Sequence, residues 1–227
     1  MIISIPDRRG GRPFPGLLHC AIALLAVLTI CTPENARAHP HGWIDLRSTV
    51  ILNESGKIAA IEQEWLFDEF YSVFATDGWD LDSAAGKAAL NELARGNIEN
   101  LRDYDYFTEI LADGEKQAIG DVEDYETGMR GGRLWLRLTV PLDAPVDPVQ
   151  HAVSYSVFDP TYYIEVLHLQ GDIVSFRDVG ELSCTGEIVQ PAPTMEAVTM
   201  AQALPPDAEV DDTLGRLFAE RVEISCK

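Results

Sequence analysis

The sequence predicts a mainly β protein of the α+β class. The expected architecture is an antiparallel β-sandwich with a helical insertion between strands two and three and short C-terminal helices. Three observations predict it. Short segments with a two-residue hydrophobic period recur along the chain, punctuated by Gly, Pro, Asn and Asp turns. Residues 83–101 switch to helical spacing. The segment that remains after an amino-terminal leader, residues 39–227, has the length of one domain, with the insertion at about 68–103.

Residues 1–38 read as a cleavable signal peptide. Arg8, Arg9 and Arg12 form a basic start, and Leu17 to Ile30 is an apolar stretch. That stretch is shorter than the roughly 20 apolar residues of a membrane span. Ala36-Arg37-Ala38 then places small residues where signal peptidase needs them, so cleavage is expected after Ala38 and the destination is the periplasm.

From His41 to Leu52 the residues alternate. Ile44, Leu46, Val50 and Leu52 point one way, and His41, Trp43, Asp45 and Arg47 the other. Asn53 to Lys57 is turn chemistry and Ile58 to Phe67 a second strand, which makes a hairpin. Asp68 is a helix N-cap ahead of Glu69-Phe70-Tyr71, and Ser83 to Leu101 is an amphipathic helix with Leu90, Leu93, Ala94, Ile98 and Leu101 on one face. Between them, Asp77 to Asp82 resembles the start of a calcium loop. Counted from Asp80, however, the fifth, sixth and twelfth places hold Ala84, Ala85 and Asn91, so a polar turn is expected.

Thr108 to Ala112 is the third strand, closed by Asp113-Gly114. A loop with Gly128, Gly131 and Gly132 leads to a strand over Arg133 to Val140, and Pro141 to Pro148 is a breaker-rich connection. His151 to Phe158, Tyr162 to Leu169, Ile173 to Phe176, Glu187 to Val189 and Arg221 to Cys226 are further strands. Met195 to Ala203 and Thr213 to Ala219 are short helices flanking a Pro205-Pro206 turn.

The chain carries 17 basic and 37 acidic residues, a net charge of −20. The leader holds four of the arginines, so its loss makes the remainder more acidic still. Such a surface repels nucleic acid and anionic lipid. Cys20 and Cys31 leave with the leader. Cys184 and Cys226 remain, an even pair that reads as a disulfide in an oxidising compartment, with a two-thiolate metal site as the alternative.

The strongest chemical signal is His39-Pro40-His41. Cleavage after Ala38 makes His39 the new amino terminus, so an α-amine, its own imidazole and a second imidazole lie close together. The amine titrates at about 8 and imidazole at about 6.5, so a metal displaces their protons readily at neutral pH. Nitrogen sets of this kind favour copper, and zinc is the rival. Pro40 has no N–H, which excludes copper binding through a deprotonated amide at position two. Asp45 shares a strand face with His41 and is a further ligand candidate. Asp159 sits in a turn, where it is either a capping residue or a ligand. His151 and His168 read as ordinary strand residues. No nucleophile elbow, phosphate loop or HExxH motif is present, so a binding protein is expected rather than an enzyme.

Taken together, HPHGWIDLRSTVILNESGKI, EQEWLFDEFYSVFA, YDYFTEI, GGRLWLRLTVPL and SVFDPTYYIEV resemble a bacterial domain-of-unknown-function family, number one thousand and seven in its series. The resemblance covers about residues 39 to 226 and carries over at His39, His41, Trp43, Asp45, Asp68, Glu69, Asp159, Pro160 and Tyr162. It implies a periplasmic component of an uncharacterised ABC-type transport system. Family members often stand beside nickel/cobalt-type or other metal permeases, which implies metal traffic. Some relatives carry a fuller acidic DxDxDG loop, which is degraded here. The resulting expectation is a periplasmic protein that binds a transition metal (copper or zinc, with nickel a further candidate) through His39 and His41, with Asp45 or Asp159 in support. Its partner would be an inner-membrane metal permease or ABC transporter. The alternative is an accessory or adaptor subunit that binds no metal.

Overall fold

Eleven strands in two sheets build the described part of the protein. The computed structural model describes residues 40–169, 174–204 and 214–227. The leader, His39 and the Pro205-Pro206 turn lie outside these residues, as do Ile173 and Thr213 from the expected strand and helix. Strand β1 (Gly42–Leu52) pairs antiparallel with β2 (Ile58–Phe67) around the Asn53–Lys57 turn. The insertion follows: α1 (Glu69–Ala75), α2 (Ala84–Leu101) and a 3-10 helix (Arg102–Phe107) that runs into β3 (Thr108–Ala112). Asp68 and Ser83 cap the two α-helices, accepting from the N–H groups of Tyr71 and Gly86. Strands β4 (Glu115–Lys116), β5 (Tyr125–Arg130), β6 (Arg133–Val146) and β7 (Val153–Val157) come next. The rest comprises β8 (Ile164–His168), β9 (Ser175–Arg177), β10 (Cys184–Val189), α3 (Met195–Ala203), α4 (Leu214–Phe218) and β11 (Arg221–Cys226).

One sheet runs β5-β6-β2-β1-β8, with β9 also paired to β1. The other runs β10-β11-β7-β3-β4. Alternation along each strand sends one set of side chains into the space between the sheets. Leu46, Val50, Trp65, Leu136 and Leu138 meet Ile110, Tyr155, Val157 and Val222 there, all nearly inaccessible. Leu90, Ala94 and Ile98 of α2 join this core, as the helical spacing predicts. The buried polar groups are matched. Trp65 Nε1 donates to Gln63 Oε1 at 2.8 Å, and Gln63 Nε2 donates to Thr108 Oγ1 at 2.6 Å.

Two readings need correction. The glycine-rich segment before Arg133 contains a strand, β5, joined to β6 by Gly131-Gly132 with φ of 60° and 82°. Strand β6 continues through Pro141 to Val146 instead of breaking. Proline is accommodated because Pro141 sits beside an irregularity in the β2–β6 register, and its carbonyl accepts from the Gly120 N–H. The sandwich also includes parallel pairs, since β8 and β9 both run alongside β1. Cys184 and Cys226 form a disulfide, directly opposite one another on β10 and β11. Among the described residues no helix is long and apolar enough to cross a membrane.

Candidate functional site

Asp68 assembles an open apolar cleft on the described surface. Its Oδ1 accepts from the Tyr71 N–H (2.8 Å) and caps α1, while its Oδ2 accepts from the Trp43 N–H (3.1 Å) at the start of β1. The Asp68 N–H donates in return to the Trp43 carbonyl. One aspartate thus fixes where β1 begins relative to α1. Between them opens a cleft of about 590 Å³, within the size range of ligand and peptide sites. Half of its lining is aromatic: Trp43, Trp65, Phe67, Phe70, Tyr71, Phe74, Tyr104, Phe107 and Tyr163. Its polar lining includes His41, Asp68, Asn97 and Asn100. Burial pushes the Tyr71 phenol above its ordinary pKa, an effect that a hydrogen bond with Asn97 partly offsets. The cleft floor carries backbone strain. Asp105, Tyr106 and Phe107 all take left-handed φ, between 51° and 57°. The Tyr106 hydroxyl accepts from the Val122 N–H and so anchors this turn from beneath.

His41 stands at the rim of this cleft. Its N–H donates to the Tyr163 carbonyl at 2.8 Å, and its ring stacks on Tyr163 with centroids 4.7 Å apart. His41 is exposed, and both its backbone N–H and its ring contact Tyr163 in the turn that leads into β8. His39 lies outside the described residues. Asp45 shares the outward face with His41, as expected, but its Oδ2 accepts from Arg133 Nη1 at 2.7 Å. Arg133 also donates to the carbonyls of Leu66 and Phe67, so Asp45 closes a clasp between β1, β2 and β6. Asp159 is buried. Its Oδ1 accepts from the N–H and hydroxyl of Thr161 and its Oδ2 from the Ile164 N–H, which shapes the turn into β8. Tyr162, with φ of 59°, stacks on Phe218 (4.1 Å) and lines a separate hollow of about 410 Å³ that shares Trp43 with the cleft. Among the described residues no group of three His, Cys, Asp or Glu side chains is placed to hold a metal ion.

A second constellation has no local signal in the sequence. Ser48 Oγ lies 3.0 Å from His168 Nε2, and His168 Nδ1 lies 2.8 Å from Glu220 Oε2. Glu220 also accepts from the His168 N–H and from Gln190 Nε2. Tyr155 OH is 2.6 Å from Ser48 Oγ, across the inter-sheet core. The connectivity matches a serine, base and acid relay. Ser48, Glu220 and the His168 ring are all 5–7% exposed, so no substrate reaches the hydroxyl while the sheets remain packed. The network is an inter-sheet tie. Glu62 and Glu64 likewise face arginines, Arg137 and Arg177 for the first and Arg130 for the second. They form a cross-strand ionic ladder, not a catalytic pair.

The family model described as "Protein of unknown function (DUF1007)" matches residues 24–226. The chain belongs to this family. A relative, an uncharacterized protein of Haemophilus influenzae, is 27% identical over 194 residues, covering 84% of this chain and 92% of the relative. No solved structure matches the DUF1007 chain.

Proposed function

We propose that this DUF1007 protein is exported to the periplasm and binds a transition metal there, in the service of an inner-membrane metal permease. His39 contributes its amine and imidazole and His41 a second imidazole, and the metal is copper or zinc, with nickel a further candidate. One observation carries the reading. His41 is presented at the protein surface by a backbone bond and a ring stack, at the point where the folded domain begins and two residues from the predicted new terminus. An imidazole so placed is oriented before a metal arrives. In this reading Asp45 and Asp159 hold the fold around the site, because their carboxylates are taken up by Arg133 and by the Thr161–Ile164 backbone. The ion's remaining positions are left to water or to the partner.

The test is calorimetric titration with Cu(II) and Zn(II) of protein recovered with its native terminus, confirmed by mass spectrometry. Micromolar or tighter uptake at one equivalent is expected. Replacing His41 by Ala, or placing a tag before His39, should weaken it by at least about tenfold. Protein with a confirmed His39 terminus that takes up neither metal refutes the reading. A second reading, an adaptor that docks without metal, is favoured by the exposed Phe70 and Phe74. It predicts partner binding insensitive to chelators.

A further inference from the structure

Helix α1 turns its apolar stripe outward. Phe70 is 86% exposed, Val73 65% and Phe74 78%, at the i, i+3, i+4 spacing that places them on one face. The helix is held on the opposite side by polar bonds. Ser72, fully buried, donates its hydroxyl to the Asp68 carbonyl and accepts from the Leu134 N–H. The two phenylalanines therefore add little to the core. They line the aromatic cleft instead, together with Trp43, Tyr104 and Tyr163, so stripe and cleft form one continuous apolar surface. A contiguous exposed patch of this kind on a soluble domain marks an interaction site.

Charge selects the occupant. No Lys or Arg lines the cleft. Asp68 lines it, exposed Glu69 adjoins Phe70, and Asp77, Asp80 and Asp82 follow α1 with no basic residue among them, while Glu62 and Glu64 are taken up by arginines and Asp105, beside Tyr104, by Lys116. With −20 on each copy, the surface opposes self-association through this face and opposes an anionic bilayer. It favours a cation-bearing partner, and aromatic faces at the rim add cation–π attraction. We infer that the cleft docks a cationic amphipathic helix of a partner protein. The helix lays its apolar side between α1 and the start of β1 and sets its Lys or Arg residues over the acidic rim. The inference rests on the accessory-protein reading above, and not on the metal.

The test is fluorescence anisotropy of the purified protein with a labelled Leu/Lys amphipathic model helix, run with chelator present so that failure of the metal reading leaves the result untouched. The comparison probes are a scrambled peptide of the same composition, a Leu/Glu helix and phosphatidylglycerol vesicles. Saturable binding of the Leu/Lys helix is expected, weakened at least about tenfold in Phe70→Ala/Phe74→Ala. Both residues are exposed, and an unchanged circular dichroism melt shows that the variant folds. Equal binding of the scrambled peptide, undiminished binding by the variant, or binding of the vesicles but not the Leu/Lys helix overturns the inference.

Discussion

Glu220 shows what one buried carboxylate does for two sheets. It accepts three hydrogen bonds from His168 and Gln190, and through His168 it reaches Ser48 and Tyr155. Burial works to raise its pKa. The His168 side chain and N–H, with Gln190, outweigh that and hold it below the ordinary carboxyl value. The unfolded chain then takes up the proton at a higher pH than the folded one. The stabilisation is present above the ordinary carboxyl range, about 4.3 for Glu, and is lost as pH falls through the lower folded value. Glu220→Gln should therefore flatten the acid limb of stability against pH and cost about 2 kcal/mol at neutral pH. Urea midpoints across pH check both, and an unaltered acid limb refutes the assignment. Asp45 and Asp159 teach the same lesson. Strand parity alone makes Asp45 a ligand candidate, but Arg133, 88 residues later, takes its carboxylate.

At the scale of elements, α1 is a short helix whose position depends on its cap. Seven residues are too few to hold a helix by propensity. Asp68 supplies both the cap and the link to β1 through the Trp43 N–H. Asp68→Ala should cost about 1–2 kcal/mol and shift the tryptophan fluorescence, as the cleft wall loosens around Trp43 and Trp65. A variant as stable as the parent with an unshifted spectrum contradicts this. The misread elements share a cause. Strand β5 is hidden by Gly128 and by polar outward positions, and it exists because β6 offers it a partner over six registered pairs. Pro141 looks like a stop until the register irregularity that tolerates it is seen.

For the whole molecule, the disulfide joins β10 to the final strand across a separation of 42 residues. Closing that loop constrains the unfolded chain by about 4 kcal/mol in the entropic model. A reductant should lower the melting temperature by several degrees, and an unshifted melt refutes a stabilising role. The strong acidity works at the same scale. In the proposed docking it selects a cationic partner, while the exposed aromatic face supplies the contact surface.

How much was legible follows from range. Local patterns determined the hairpin of β1 and β2, the Asp68 cap, the bounds of α2, β3, α3 and β11 to within a residue, and the Cys184–Cys226 pairing. Each depends on spacing, capping or counting within the chain's own order. The resemblance carried by the motifs also identified the family. The aromatic cleft and the Ser48–His168–Glu220 tie were decided by tertiary structure alone. Phe70 and Phe74 have the spacing of core residues, and only the packing of α1 through Ser72 turns them to solvent. His168 and Glu220 are 52 residues apart, and no periodicity relates them. Sequence spacing reports which face of an element is apolar. What that face meets is set by which strands and helices the closed sandwich brings beside it.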